Sequence, residues 1–374
     1  MSCRLLLFAC LLVVGPMVLP DHGVAASKTF AGKRIIFEED VSSWTSKEAT
    51  DEVLSRIKAA GFNAFGPIVW HGRGTTWPST YAEWDSWLKA YPKQGYDPLK
   101  YLIDRAHAMG IEVHPWFTLT LREGSFLPEF APSGTPDRAF DVHMPEFRHL
   151  MANLVAEVAS RYDVDGINLD YVRAIGLCTS AFCQADYDKR YGRSLLLDKV
   201  QFKLTFGRVP TLVEYQKLDV ADMLREISQR IRAVKPNIVI SADVIPFFEN
   251  VEQGHNSIGW ENEGLVDVLC RMAYYLDIDI ALTNKIRGLL KNPDALTVVI
   301  SNVSHGEKSP TQAHFSRDGK WFVDTINTIQ QHWPMTGVGV YEYRWLSDEQ
   351  IAAVKAGPFN PSAPPSAPRN LRMK

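Results

Sequence analysis

Two aspartates at the ends of predicted strands could carry acid–base chemistry, and Asp170 is the first. In the stretch that ends at this residue, small or polar side chains alternate with branched apolar ones: Gly166, Asn168 and Asp170 against Ile167 and Leu169. Such alternation puts the two sets on opposite faces of a strand. The apolar face suits a helix layer. The polar face suits the interior of a parallel barrel, where chemistry occurs at the carboxyl ends of the strands.

Asp243 ends the next predicted strand and is the expected partner of Asp170. Because adjacent parallel strands lie about 4.8 Å apart, carboxylates at neighbouring strand ends can be roughly 5 to 9 Å apart, the separation used in glycoside hydrolysis. One carboxyl group would protonate the leaving oxygen, and the other would act as nucleophile or base. The alternative for either residue is a helix cap or an ion pair, which for Asp170 would form with Arg173.

Glu342, at the end of the eighth predicted strand, is a third catalytic candidate. Its register is ambiguous, because Tyr341 could be the inward-facing residue instead. Glu39 and Asp40, at the end of the first predicted strand, are weaker candidates. A structural ion pair remains the alternative for each of these carboxylates.

Aromatic and polar side chains near the same strand ends are candidates for binding a sugar. They are Trp70 and His71 after the second strand, His114 and Trp116 on the third, Asn168, Tyr171 and Arg173 around the fourth, and Tyr274 and Tyr275 on the sixth. An aromatic ring can stack on the apolar face of a pyranose, and a neutral imidazole can hydrogen-bond a hydroxyl. The alternative for any single aromatic residue is a place in the core.

The segments that would position these residues alternate between strand and helix patterns from Arg34 onward. Strands are predicted at 34–39, 62–70, 111–117, 164–170, 237–244, 266–275, 296–303 and 337–343. Helices are predicted at 48–60, 97–109, 145–162, 181–191, 211–218, 219–234, 279–290, 320–332 and 347–356. Such alternation favours a parallel sheet, and eight units close a barrel. The predicted fold class is therefore α/β, a single-domain (β/α)8 TIM barrel with long βα loops.

The two ends of the chain are expected to lie outside this barrel, which would span residues 27–357. Residues 1–26 have a basic start, a short apolar run and small residues before a cut, the pattern of a secretory signal peptide. No later segment is long and apolar enough to span a membrane. Residues 358–374 are rich in Pro and Ser and are predicted to form an extended tail. We therefore expect a secreted or periplasmic protein.

Composition excludes some classes of partner. The 374 residues are 46% hydrophobic and 22% charged, which is typical of a globular protein with a large core. A net charge of -3 gives no footprint for nucleic acid. No Cys/His spacing resembles a zinc site, and we expect neither a metal nor a cofactor. Cys178 and Cys183 are expected to form a disulfide in an oxidising compartment, and Cys270 to be a buried thiol.

Five stretches in the same order resemble the glycosyl-hydrolase-like family ten, a group of secreted TIM-barrel proteins. They are 74–79, 95–117, 162–173, 264–275 and 337–341, of which 162–173 is the most similar. The resemblance implies a (β/α)8 barrel that acts on a polysaccharide, with Asp170 as the matching acidic residue. Two departures, Arg271 in place of Pro and Ala174-Ile175 in place of Tyr-Pro, bear on the substrate more than on the fold.

The sequence thus predicts a secreted glycoside hydrolase that cleaves a cell-envelope polysaccharide or exopolysaccharide. A carbohydrate-binding barrel without turnover is the alternative, because a fold does not by itself establish an activity. A metal-dependent polysaccharide deacetylase is disfavoured, because the sequence has no His-rich metal motif.

Overall fold

Eight parallel strands close into a barrel, and the predicted (β/α)8 fold is confirmed. The strands are β1 (Arg34–Glu38), β2 (Ala64–Trp70), β3 (Glu112–Val113 and Trp116–Thr118), β4 (Gly166–Asp170), β5 (Val239–Val244), β6 (Val268–Ala273), β7 (Leu296–Ser301) and β8 (Val338–Tyr341). Closure is complete because β1 pairs in parallel with both β2 and β8. A short antiparallel hairpin, Glu249–Asn250 with His255–Asn256, follows β5.

A computed structural model describes residues 28–88, 95–245, 249–274, 278–303 and 316–360. The predicted signal peptide, Tyr275 and residues 361–374 of the predicted tail lie outside these ranges. Among the described helices, none combines the length and the apolar character needed to cross a bilayer.

Ten α-helices accompany the described strands. They are α1 (Lys47–Ala59), α2 (Pro98–Ala108), α3 (Pro145–Arg161), α4 (Ala181–Tyr191), α5 (Leu195–Leu204), α6 (Pro210–Val234), α7 (Ser257–Asn262), α8 (Ile280–Arg287), α9 (Gly319–His332) and α10 (Asp348–Ala356). Ser or Asp side chains accept backbone N–H groups at the start of seven of them: Ser46, Asp97, Ser180, Ser194, Asp279, Asp318 and Ser347. These caps satisfy N–H groups that the first helical turn leaves without partners.

The strands separate two apolar layers, as their alternating side chains require. The barrel interior contains apolar residues from five strands, β1, β2, β3, β6 and β7: Ile35, Phe37, Ala64, Ile68, Trp116, Val268, Cys270 and Val299. The larger cluster lies between the strands and the helices, and Ile167 and Leu169 of β4 belong to it. The predicted faces of β4 are therefore confirmed, with Asn168 and Asp170 on the interior side.

Two local predictions were wrong. The third strand is interrupted between Val113 and Trp116, because Pro115 has no N–H to donate to a neighbouring strand. The two helices predicted at 211–218 and 219–234 are one continuous helix of 25 residues, α6. Asp219 lies in its middle, where His143 and Arg190 hold its carboxylate through hydrogen bonds of 2.6 and 2.9 Å. These contacts stabilise Asp219 in the interior of α6, although aspartate is more common at the start of a helix.

The long connection between β4 and β5 forms a small unit with its own apolar cluster. It contains α5, which the sequence analysis did not predict, and the disulfide between Cys178 and Cys183. Cys270 is a buried free thiol, as predicted, and it lies inside the barrel.

A steric test of the barrel interior is available at Gly166, the first residue of β4. A Cβ atom there would lie 2.2 Å from His114 Nδ1, so one of the two must move. We expect Gly166→Ala to lower the free energy of unfolding by about 1–3 kcal/mol, the usual cost of overpacking. Urea denaturation monitored by tryptophan fluorescence would measure it.

Two controls belong to this test. Gly288→Ala, where the added Cβ meets only ordinary contacts at 3.5 Å, is expected to leave stability within about 0.5 kcal/mol of wild type. In a His114→Ala background the cost of Gly166→Ala should shrink, because the obstructing ring is absent. Equal costs in both backgrounds would contradict the proposed contact.

Candidate active site at the carboxyl ends of the strands

Asp170 and Asp243 lie side by side at the carboxyl ends of β4 and β5. The register pairs Leu169 with Ala242, so the following residues of the two strands are neighbours. Both side chains are nearly enclosed, since Asp170 is 6% exposed and Asp243 is 7% exposed. The structure therefore brings together the two carboxyl groups that the sequence analysis paired.

Burial makes this pair resist ionisation. It is the largest cause that raises the pKa of Asp170, against the opposing charge of Arg173 and a 2.5 Å hydrogen bond from the Tyr171 N–H. Burial also raises the pKa of Asp243 well above its usual value, and the charge of Asp170 adds to that effect. Two acids in one dry site cannot both be charged without a large cost, so the pair retains a proton.

Asn168 holds Asp243 in place from inside the barrel. Its Nδ2 donates to Ser241 Oγ at 3.0 Å and to Asp243 Oδ1 at 3.3 Å. Asn168 is fully buried, so it contacts the acid rather than the open mouth. Asn168 is therefore positioned to orient the carboxyl group of Asp243. From the sequence it was predicted to bind the substrate.

Aromatic rings surround the acids on the interior side. Trp116 packs edge-on against Tyr341 with centroids 6.3 Å apart, and Tyr274 stacks on Tyr341 at 5.1 Å. Tyr341 is therefore the inward residue at the end of β8, which decides the ambiguous register at Glu342. Tyr274 directly follows β6 and is partly buried, whereas Trp116 is only 5% exposed and lies level with Asn168 inside the barrel. The sugar-binding role of both residues stays a prediction.

Glu39, directly after β1, presents a carboxylate of opposite character. Its Oε1 lies 3.0 Å from His71 Nε2, its Oε2 accepts a hydrogen bond from the Tyr341 hydroxyl, and Arg344 Nη2 lies 3.6 Å from Oε2. Burial raises the pKa of Glu39, but these donors and charges outweigh it and hold that pKa at about 2. Glu39 is thus ionised at neutral pH, and it is close enough to Asp170 for its charge to raise the pKa of Asp170.

A cavity of about 720 Å³ opens beside Glu39. Loops that follow β1, β2, β3 and β8 supply its walls: Glu39, Asp40, Val41, Ser42, His71, Arg73, Ser86, Trp87, Glu123, Arg138 and Arg344. Trp87 is 60% exposed, and the Arg73 guanidinium lies 3.8 Å from its ring centroid. An exposed indole beside several hydrogen-bonding groups is a surface suited to a sugar ring.

Tyr171 and Arg173 lie on the loop that follows β4, as predicted. The Arg173 guanidinium stacks 4.4 Å from the centroid of the Tyr171 ring. Thr120 fixes this loop, because its hydroxyl lies 2.8 and 2.6 Å from the carbonyl oxygens of these two residues.

Trp70 and Glu342, two predicted site residues, are not brought to the mouth. Trp70 faces outward and packs against Phe126 and Phe140 in the layer outside the barrel. Glu342 is buried behind Tyr341, and Arg344 Nε contacts its carboxylate at 2.9 Å. Both depart from the expected inward placement, because a bulge between Ile68 and Trp70 changes the register of β2 and because Tyr341 takes the interior position of β8.

His114 lies inside the barrel but at the opposite end from the acids. Its ring packs against Phe30, which lies in the segment before β1, and Nε2 lies 3.1 Å from Glu112 Oε2. Glu112 in turn pairs with Lys33. The expectation that His114 faces the mouth with Trp116 is therefore corrected, because His114 lies beside Gly166, the first residue of β4, near the amino-terminal end of the barrel.

Several wall residues of the cavity were not predicted from the sequence, namely Arg73, Trp87, Glu123, Arg138 and Arg344. The available signal was the length of the loops after β2 and β3, since long ordered loops are often functional. The way these loops fold over the barrel determines which of their side chains come together. The alternation of residues along the strands does not predict how the loops fold.

Within the described ranges, Asp141, His143 and Cys183 lie close enough together to share a metal ion. Cys183 is bonded to Cys178, and both His143 ring nitrogens already contact acceptors, Asp219 Oδ2 at 2.6 Å and Gln216 Oε1 at 2.8 Å. Sulfur and imidazole are thus already engaged, and the arrangement is that of a buried structural network.

The electrostatics of the acid pair can be tested through stability. Asp243→Asn keeps an acceptor for Asn168 but cannot ionise. Because the pKa of Asp243 is raised by folding, wild type loses stability as pH rises above about 4, where the unfolded chain ionises first. We expect Asp243→Asn to exceed wild type by more than about 1 kcal/mol at pH 8, with the difference vanishing near pH 4.

Urea unfolding at pH 4, 6 and 8 would measure this difference. Asp188→Asn, at an exposed position of α4, is the matched control and should follow wild type at every pH. If Asp243→Asn is no more stable than wild type at pH 8, burial of the Asp243 carboxyl group does not destabilise the folded protein and the interpretation is wrong.

Comparison with solved structures shows that this barrel is similar in fold to those of several glycosidases. The glycoside hydrolase domain of PgaB (BpsB) from Bordetella bronchiseptica superposes with a TM-score of 0.61 at 11% identity, covering 87% of this chain and 98% of that one. The catalytic domain of a β-amylase from Paenibacillus polymyxa gives 0.58 at 11% identity, covering 89% and 99%. At such low identity these likenesses establish the fold.

Sequence comparison is more specific. Glycosyl hydrolase DigH of Escherichia coli (strain K12) is 22% identical over an alignment of 274 residues, and the match covers 61% of this chain and 58% of that protein. The chain therefore spans little more than half the length of this relative. The profile of the family described as Glycosyl hydrolase-like 10 matches residues 35–129 and 128–287, a stretch that includes β1 to β6 with Asp170 and Asp243. The chain belongs to the glycosyl hydrolase-like 10 family.

Proposed function

We propose that the protein is a secreted glycoside hydrolase that cleaves a cell-envelope polysaccharide or exopolysaccharide, with Asp170 as the proton donor. The observation that carries the proposal is the pair of buried carboxyl groups, Asp170 and Asp243, at neighbouring strand ends beneath an aromatic mouth. Family membership and the glycosidase barrels of similar fold support it. The predicted signal peptide supports export.

The raised pKa of Asp170 gives it the protonation state that an acid catalyst needs at neutral pH. Its proton would pass to the glycosidic oxygen as the bond from that oxygen to the anomeric carbon breaks. Asn168 holds Asp243 next to Asp170, where a second negative charge is unfavourable. The pair of carboxyl groups therefore keeps one proton. The two aspartates thus act as one acid unit in this proposal.

Residues around the acids would hold the sugar. Tyr274 and Trp116 offer ring surfaces, and Tyr171 and Arg173 stand beside Asp170 on the β4 loop. Trp87 offers a further exposed ring across the cavity. The proposed substrate is therefore a chain of sugars that crosses the mouth, and no cofactor is invoked.

A barrel that binds a polysaccharide without cleaving it is the second candidate. Its specific support is the near-complete enclosure of Asp170 and Asp243, which limits their access to a bound glycosidic oxygen. This alternative predicts glycan affinity that Asp170→Asn leaves unchanged and no release of reducing ends.

The first experiment is a reducing-end assay on bacterial cell-wall glycan, bacterial exopolysaccharide, chitin, starch and xylan. We expect wild type to degrade at least one of them and Asp170→Asn to lose about 10²–10⁴-fold in kcat/KM, because the proton donor is gone. A cooperative unfolding transition with a midpoint no lower than that of wild type would show that the variant is folded.

Asp188→Asn is the control for an Asp-to-Asn change on the same barrel, and it should retain wild-type activity. An active Asp170→Asn protein would remove Asp170 from the mechanism. A wild type that binds a glycan in the panel but releases no reducing ends would favour the binding barrel.

A further inference from the structure

Glu39 differs from the aspartate pair in access as well as in charge. About a third of its side chain is exposed, 32%, and it forms part of the cavity wall. Asp243, in contrast, lies deep in the barrel and is bound to Asn168. A group that must meet the anomeric carbon of a bound sugar needs such access, and in the described mouth Glu39 has more of it than either aspartate.

The contacts of Glu39 are arranged so that its charge is fixed in place. Arg73 Nη1 lies 2.7 Å from His71 Nδ1, and an arginine can only donate, so Nδ1 is an acceptor. The ring proton of His71 is therefore on Nε2, from which it is donated to Glu39 Oε1 at 3.0 Å. Arg73 is itself oriented by Asp85, whose Oδ1 accepts from Nε at 2.9 Å.

The other oxygen of Glu39 is held from the opposite side of the mouth. The Tyr341 hydroxyl donates to Oε2, and Tyr341 is stacked on Tyr274 and packed edge-on against Trp116. Each carboxylate oxygen still has lone-pair capacity after one such bond. Donors that reach Glu39 through rigid partners suit a charged group that must stay aligned during a reaction.

We propose that Glu39 is the second catalytic carboxylate, facing the anomeric carbon while Asp170 protonates the leaving oxygen. The inference rests on the proposed hydrolase function and reassigns the role that the sequence analysis gave to Asp243. The contrast between an acid kept neutral by burial and a carboxylate kept ionised by hydrogen bonds is the pattern that divides acid from nucleophile in such sites.

The proposed step is balanced without a cofactor. Asp170 gives its proton to the glycosidic oxygen, the bond from that oxygen to the anomeric carbon breaks, and the leaving sugar departs with a hydroxyl group. Glu39 stabilises the positive charge on the anomeric carbon by forming a bond to it. Water then adds to that carbon from the side of the departed group, the bond to Glu39 breaks, and the proton of the water returns to Asp170.

The test compares Glu39→Ala and Glu39→Gln with wild type on whichever polysaccharide of the panel wild type degrades. We expect both variants to lose at least about 100-fold in kcat/KM. Sodium azide or formate should restore part of the activity of Glu39→Ala, because a small anion can occupy the vacated space and attack the anomeric carbon. Glu39→Gln should not respond, because its amide fills that space.

The control variant is Glu83→Gln, an exposed carboxylate on the loop after β2, which should behave as wild type. Substantial activity in Glu39→Gln, or a loss in Glu39→Ala that no anion restores, would overturn the catalytic role of Glu39. Failure of the proposed function is distinguishable, because it would show as a wild type that degrades no polysaccharide in the panel.

His71 is a positioning residue in this scheme, and the pH profile tests it. His71→Ala removes a donor to Glu39, so the pKa of Glu39 should rise from about 2 toward its usual value. Protonation would then remove the nucleophile at mildly acidic pH. We expect kcat/KM of His71→Ala to fall from pH 6 to pH 4 more steeply than that of wild type, and parallel profiles would overturn the role of His71.

Discussion

The burial of two neighbouring carboxyl groups, Asp170 and Asp243, is the constraint on which the site depends. A closed barrel gives the ends of β4 and β5 an apolar interior and leaves little water to solvate a charge. The pair therefore holds a proton at a pH where exposed aspartates have lost theirs. This state costs stability at neutral pH, and the large apolar layer between strands and helices offsets the cost.

Glu39 shows how the same mouth can favour the opposite state. It is also partly buried, but His71, Tyr341 and Arg344 direct donors or positive charge at its carboxylate. The two environments differ in the groups that surround the buried carboxyl. Apolar walls favour a neutral acid, whereas aligned donors favour an ionised carboxylate, and the proposed hydrolase would use one group of each kind.

The two ends of the barrel interior have different chemistry. At the amino-terminal end, His114 packs on Phe30, and Glu112 pairs with Lys33, so these charges close the base of the barrel. At the carboxyl end, the polar groups surround an open cavity. This division is expected of a parallel barrel, in which the base contributes stability and the mouth carries the site.

Alternation in the sequence was sufficient to predict the barrel and the adjacency of Asp170 and Asp243. Strand and helix periods are local properties, and parallel pairing of successive strands places consecutive strand ends together. The inward face of β4 followed from five residues of the chain. The break at Pro115 was also readable, but the prediction ran the strand through it. His114 was assigned to the mouth although it lies early in the strand, beside the first residue of β4.

Tertiary structure alone decided the rest of the site. The bulge that turns Trp70 outward and the choice of Tyr341 over Glu342 depend on how each strand fits its neighbours. Glu39 was visible in the sequence as one more carboxylate after a strand. Its proposed role depends on His71 and Tyr341, which lie 32 and 302 residues away from it in the chain and meet it only when the barrel closes. Hydrogen bonds between such distant residues leave no periodic pattern in the sequence, and so only the folded protein reveals them.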